Sequence, residues 1–213
     1  MALVLPGVVR ADEQAAALRN PPRPRPGIRA YFLYDRTDLL AKETFTGVIG
    51  TSRLYAKGVG AEVLGLWKGV FPRVAYSNME HDGSRVIVSN GQATSLHIPL
   101  TVKMSPLEVA GGWRFSPRGL GPRVGPYAGA GLVRVTYRET SDFAGVGDDV
   151  STVFSGYVVF GGIDFTVAPW VIAGVEAQYR SLPNAIGEAG ASQAYGESNL
   201  GGRTLRVMIG IKR

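Results

Sequence analysis

A strict two-residue alternation in the last third of the chain limits how the protein can fold. In residues 170–181, WVIAGVEAQYRS, one parity carries apolar side chains: Val171, Ala173, Val175, Ala177 and Tyr179. The other parity carries Glu176, Gln178 and Arg180. Successive side chains of a β-strand point to opposite faces, so this period predicts a strand with one apolar and one charged face. The closing stretch, residues 203–213, repeats the pattern.

Helical signals are scarce by comparison. Only residues 13–19 have a helix-forming composition, and no stretch supplies the roughly 20 consecutive apolar residues that a transmembrane helix requires. Hydrophobic residues make up 45% of the chain, which argues against disorder, and its 29 Gly favour strands and tight turns. The sequence therefore predicts an all-β fold in one domain.

Turn signals divide the chain into eight predicted strands, at 28–37, 58–68, 70–88, 92–115, 124–138, 152–166, 170–181 and 203–213. Three predicted connections are long and polar, at 38–57, 139–151 and 182–202, whereas Lys68-Gly69 and residues 167–169 are tight turns. Asn90-Gly91 is a strong two-residue hairpin signal. It joins two unusually long strands, which should project beyond the others.

The fourth strand breaks the alternation, because its apolar parity changes between Val102 and Leu107. A β-bulge at Ser105-Pro106 would restore one apolar face, and proline inside a strand favours such a place. The alternative is a turn at this point and nine strands in total.

Three features favour a membrane barrel over a soluble barrel or sandwich: aromatic residues near strand ends, loops that are long on one side, and an even strand number. The apolar faces would then contact lipid, and the charged faces would fill the interior with paired acids and arginines, leaving no open channel. The predicted interior residues are Arg29, Glu62, Arg73, Glu108, Arg114, Arg134, Arg138, Asp164, Glu176, Arg180 and Arg206.

The stretches PYAGAGLVRVTYRE and FSGYVVFGGIDFTVAPWVIAGVEAQYR, with the closing strand after NLGG, resemble the outer-membrane β-barrel family that includes OmpA-like and OmpX-like proteins. The resemblance covers residues 27–213. It implies an eight-stranded antiparallel up-and-down transmembrane β-barrel in a bacterial outer membrane, with short periplasmic turns and long extracellular loops.

The amino-terminal region divides into two predicted parts before the barrel begins at residue 27. Residues 1–11 are typical of the back half of a secretory signal peptide, with a small-residue cleavage site at residues 9–11. Residues 12–26 include the proline-rich NPPRPRP, which favours an extended linker.

Candidate chemistry is sparse. Ser95 and His97 share a strand face and raise the hypothesis of a lipid A-modifying enzyme, although a Ser and a His two apart are common on strands. Glu62 and Glu176 could form a catalytic carboxylate pair, but interior acids among arginines are more often structural. The loop acids Asp142, Asp148 and Asp149 match no calcium-loop spacing.

No cofactor or metal site is therefore predicted. The net charge of +6 is scattered along the chain, so nucleic acid is not an expected partner. The leading interpretation is a non-enzymatic outer-membrane protein with a structural or adhesive role, acting through its loops and the hairpin tipped by Asn90 and Gly91. Outer-membrane lipid or lipopolysaccharide is the expected partner, and an extracellular or envelope protein is a further candidate. The alternatives are the lipid A-modifying enzyme and a soluble lipocalin-like carrier of an apolar ligand.

Overall fold

The computed structural model describes residues 27–89, 92–115, 121, 123–141, 150–188 and 190–213. Eight antiparallel strands follow one another around a closed barrel, and the last pairs with the first. The strands are β1 Gly27–Leu39, β2 Arg53–Leu64, β3 Val70–Ser89, β4 Gln92–Arg114, β5 Val124–Thr140, β6 Val150–Ala168, β7 Val171–Ser181 and β8 Gly202–Lys212. The predicted fold class, with eight strands and not nine, is confirmed.

Several predictions lie outside the described residues. They are the signal-peptide segment 1–11, the linker 12–26, the hairpin tip Asn90-Gly91, and the loop acids Asp142, Asp148 and Asp149.

The strand register shows that the strands are tilted relative to the barrel axis. Paired residues can be followed once around the wall, through Arg29, Glu62, Arg73, Ala110, Gly131, Val158, Arg180, Gly202 and Leu39. The path returns to β1 at Leu39, ten residues from its start. Leu39 is nearer the end of the barrel that carries the long connections, which we call the upper end. Such a stagger requires strands inclined to the barrel axis. A row of paired residues therefore runs obliquely around the wall, and it descends when it is followed from β1 to β8, β7 and β6.

The first long connection differs from its prediction. The segment 38–57 contains a helix, α1 Lys42–Ile49, and β2 already begins at Arg53. Phe45 and Ile49, four residues apart on one helical face, are buried, and Gly50 ends the helix in the left-handed conformation. A second, short helix, α2 Gly190–Ala194, lies in the last long connection. No helix in the described part of the chain is long and apolar enough to cross a membrane.

The predicted bulge at Ser105-Pro106 is wrong. The β3–β4 register is the same on both sides of this dipeptide, as the pairs Tyr76↔Leu107 and Met79↔Met104 show. The register instead shifts higher up, where Ser84 pairs with Pro99 but Val86 pairs with Ser95.

The upper interior of the barrel is apolar and closed by the long connections. A cluster of buried side chains joins the strands to α1 and to the β7–β8 connection: Leu39, Ala41, Phe45, Ile49, Leu54, Ala56, Met79, Leu100, Val102, Met104, Val133, Val135, Leu182, Ala185 and Leu200. Glu197 links the two connections, because its carboxylate accepts hydrogen bonds from the backbone N–H groups of Glu43 (3.1 Å) and Thr44 (2.8 Å). An acceptor at a helix amino terminus stabilises it through free N–H groups and the helix dipole.

Candidate functional site

The lower barrel interior holds a four-residue ion cluster. Arg29 Nη1 lies 2.9 Å from both Glu62 Oε1 and Asp164 Oδ2. Arg114 Nη2 contacts the same two oxygens, at 3.0 and 2.7 Å. Two arginines thus neutralise two carboxylates, as buried charges require.

A second ion cluster lies above the first and is centred on Arg206. This guanidinium makes paired hydrogen bonds to Asp35, at 2.7 and 2.8 Å, and to Glu108, both at 3.0 Å. Arg180 Nη2 contacts the same two acids at 3.1 and 2.7 Å. Arg73 Nη2 donates to Glu176 Oε1 at 3.1 Å. Three arginines therefore face three carboxylates in this upper cluster.

Aromatic rings share the interior with the two clusters. They belong to a buried group: Tyr31, Leu33, Phe71, Ala75, Ala110, Tyr127, Phe160 and Met208. The Arg73 guanidinium carbon lies 3.6 Å from the centre of the Phe160 ring, and that of Arg114 lies 4.6 Å from the centre of Phe71. Favourable cation–ring contacts thus add to the ion pairs. The two clusters and the rings thus fill the middle of the described barrel, and a cavity of ≈ 520 Å³ bordered by Arg114 and Asp164 lies at its lower end.

The structure places nine of the eleven predicted interior residues in these clusters and two elsewhere. Arg134 and Arg138 point outward and are exposed, whereas their neighbours Val133 and Val135 are buried. The interior placement of the two arginines is therefore wrong. Asp35 was missed, although it shares the parity of Arg29 on β1 and that parity could have identified it.

The error on β5 has a physical reason. Each strand keeps one inward parity along its length, but the surroundings change with height. In the upper half the interior is apolar and the exterior is polar, whereas in the lower half the interior is charged and the exterior is apolar. The apolar parity of a strand therefore inverts without a bulge, which also explains the change between Val102 and Leu107 on β4.

The exterior of the lower half is an apolar band between two sets of aromatic residues. Tyrosines lie along its upper edge: Tyr34, Tyr55, Tyr76, Tyr157 and Tyr179. Larger rings lie at the lower ends of the strands and in the short turns: Trp67, Trp113, Phe115, Phe165 and Trp170. Exposed side chains such as Phe32 (71%), Leu132 (71%) and Ile209 (58%) fill the space between. Apolar bands flanked by aromatic residues are the lipid-facing surface of transmembrane barrels.

Solved structures share this architecture. The chain is similar to Ail, the attachment invasion locus protein of Yersinia pestis, solved with the heparin analogue sucrose octasulfate: the identity is 11%, the TM-score is 0.51, and 88% of this chain and 97% of Ail are covered. The fold is that of an eight-stranded outer-membrane β-barrel. Neisserial surface protein A matches 88% of this chain and 95% of its own, with 14% identity and a TM-score of 0.50. No protein-family model and no curated protein match the sequence.

The candidate catalytic groups of the barrel make other contacts in the structure. Ser95 Oγ accepts a hydrogen bond from the backbone N–H of His97 at 3.2 Å, and both residues are exposed. Glu62 and Glu176 lie in different ion clusters, each held by arginines. No metal-binding group of His, Cys, Asp or Glu occurs among the described residues.

The upper parts of β3 and β4 form a separate feature, which we name the projecting ribbon (residues 80–89 and 92–100). The β2–β3 pairing reaches only Asn78, and the β4–β5 pairing reaches only Thr101. Above these points the described strands β3 and β4 pair only with each other. The ribbon also carries exposed apolar side chains, with Ile87 exposed by 56% and Leu96 by 44%.

Proposed function

We propose that the chain is a non-enzymatic protein of the bacterial outer membrane with a structural or adhesive role, and that the projecting ribbon is its contact surface. The lipid-facing band supports the location, because closed barrels of this kind are typical of that membrane. Short turns then face the periplasm, and the long connections and the ribbon face the outside.

The observation that carries the contact role is the pairing pattern of the ribbon. Strands without a neighbour present free N–H and C=O groups, on which an extended segment of another protein can add a strand. The β3 edge is covered near Gly83, which lies against Val48 and Ile49 of α1. Both helices contact β3, so the candidate edge is the stretch above this point, with Val86 and Ile87, where β4 is the strand paired with β3.

Shortening the ribbon should abolish adhesion without unfolding the barrel. Replacing residues 85–98 by an Asn-Gly turn keeps the pair Ser84↔Pro99 and the buried Leu100. Gram-negative cells that express the wild-type chain should adhere to cultured epithelial cells, and the shortened variant should lose this adhesion. Outer-membrane fractions of both should show the same mobility shift on boiling.

A matched control changes side chains but keeps the edges. Ile87→Thr retains a β-branched strand residue and should preserve most of the adhesion, because main-chain pairing carries the contact. Ail was solved with a heparin analogue, which makes heparin a useful first competitor. Equal adhesion by the wild-type and shortened chains would exclude the ribbon as the contact surface.

The enzymatic alternative has its own test. Ser95→Ala and His97→Ala should leave the lipid A of the expressing cells unchanged in mass, because the described contact involves a backbone N–H and not the imidazole. The measurement is mass spectrometry of extracted lipid A against cells without the protein. A modification that needs the wild-type pair would reverse the assignment.

The lipocalin-like alternative conflicts with the size and the lining of the interior cavities. The cavity in the apolar upper part, bordered by Leu182, Leu200 and Arg180, measures only about 20 Å³, whereas small-molecule sites usually enclose about 300–1,000 Å³. The larger cavity at the lower end, ≈ 520 Å³, is bordered by the charged Arg114 and Asp164, which do not suit an apolar ligand. A soluble carrier would also expose the apolar band on its exterior to water. This band is continuous, whereas soluble proteins expose apolar side chains mainly as scattered residues.

A further inference from the structure

The outer wall of the barrel carries a groove that begins above the apolar band and continues into it. It encloses ≈ 600 Å³ across β1, β8, β7 and β6. We propose that this groove binds one molecule of lipid A, with its phosphates at Arg36 and Arg203 and an acyl chain over Leu205, Ala177 and Gly161. The inference rests on the proposed outer-membrane location and specifies a lipid partner.

The floor of the groove follows from the strand register. Arg36, Leu205, Ala177 and Gly161 are successive cross-strand partners on the outward face. The parallel row above them contains Arg203, Tyr179 and Val159, whose side chains are larger. Ala177 and Gly161 are small residues next to larger ones, so they leave a shallow channel on the wall. The channel crosses four strands and is therefore roughly 14 Å long at the usual strand spacing.

The inclination of the strands directs this channel. The register advances by ten residues per circuit, so a row of paired residues that is followed from β1 to β8, β7 and β6 moves down the wall. The channel therefore starts at Arg36, near the tyrosine edge, and reaches Gly161 within the apolar band. An acyl chain can follow this path while its headgroup stays at the interface.

Charge at the upper end favours an anionic headgroup. Asp38 is the shared partner of two arginines, with Arg53 Nε at 2.8 Å and Arg36 Nη2 at 3.7 Å. Arg203 has no ion pair among the described residues. Arg36, Arg203 and Asp38 border the groove, and Asp38 is held at closer range by Arg53, which does not border it. Arg36 and Arg203 are therefore available to the two phosphates of lipid A. Lipid A also lies in the leaflet that this end of the barrel faces.

The test compares lipid retention by native mass spectrometry on barrels refolded in detergent, with diphosphoryl lipid A added as the probe. The variant Arg36→Gln/Arg203→Gln should bind lipid A about thirtyfold more weakly than the wild type. Gly161→Leu should lose the bound molecule by filling the channel. A side chain is tolerated there, since an added Cβ would meet only Tyr127 O, at 3.7 Å.

The controls repeat the same changes elsewhere on the wall. Gly111→Leu places leucine at another outward glycine, where an added Cβ would meet only Phe71 O, at 3.8 Å. Arg134→Gln/Arg138→Gln removes two exposed arginines on β5. Both controls should retain lipid A as the wild type does.

Three outcomes would overturn the proposal. They are undiminished retention by Gly161→Leu, undiminished retention by the double arginine variant, and equal affinity for phosphatidylglycerol and lipid A. If the barrel shows the boiling shift and ribbon-dependent adhesion, but the groove variants bind lipid A as the wild type does, the proposed function stands and only the groove is excluded. A chain without the boiling shift would exclude both.

Discussion

Replacing Arg206 with Met is expected to lower the free energy of unfolding by about 3–5 kcal/mol, the usual cost of leaving buried charges without their partner. Arg206 is fully buried and makes two hydrogen bonds to each of Asp35 and Glu108. Its loss leaves three carboxylates with two arginines in the upper cluster. The measurement is urea unfolding of the barrel in lipid vesicles, followed by the fraction that shifts on boiling.

Two companion variants identify the cause of this loss. Arg134→Met removes an exposed outward arginine and should change the unfolding free energy by no more than about 0.5 kcal/mol. Asp35→Asn added to Arg206→Met restores equal numbers of acids and arginines, so it should recover part of the stability. An Arg206→Met barrel as stable as the wild type would show that the upper cluster contributes little.

The ion clusters also help to fix the register of the strands. Arg29, Glu62 and Arg73 are successive cross-strand partners, so their charges alternate around the wall. Asp35 and Arg206 are direct partners across the β1–β8 pair that closes the barrel. A slip of one residue in that pair would turn one strand's charges towards lipid. The pairs therefore favour the observed closure, in addition to any stability they provide.

The barrel prediction also needed the aromatic positions, the loop lengths and the even strand number. The period-two pattern alone was sufficient to predict the strands, because the backbone geometry that alternates side chains holds in any environment. It was insufficient to say which face is inside. On β7 and β8 the apolar face lies outside, with Val175 and Val207 exposed. On the upper part of β5 the same kind of face is buried, with Val133 exposed by 1% and Val135 by 4%.

The missing information is the height of the lipid band relative to each strand. A strand that extends above the membrane passes from lipid into water, so its exterior changes from apolar to polar while its parity is unchanged. The prediction places Arg134 and Arg138 inside because they alternate with the apolar Val133 and Val135, and the sequence does not show that this part of β5 has its apolar face inside. The groove was not predicted either, because its floor combines residues of four strands whose neighbours depend on the register.

The position of this boundary can be measured with two identical substitutions. Val207→Arg places a charge in the apolar band and should lower the free energy of unfolding by about 2–4 kcal/mol. Val153→Arg makes the same change on β6, above the tyrosine edge marked by Tyr157. The two valines point outward and have similar exposure, 51% and 44%. Only their surroundings should differ.

Val153→Arg should therefore change stability by about 1 kcal/mol or less, as expected for charges near or beyond the interface. Unfolding of both variants in the same lipid vesicles gives the comparison. Equal losses would place Val153 within the lipid and lower the height of the ribbon above the membrane. Little loss in either variant would remove the evidence for a lipid-facing band, because water would then surround both sites.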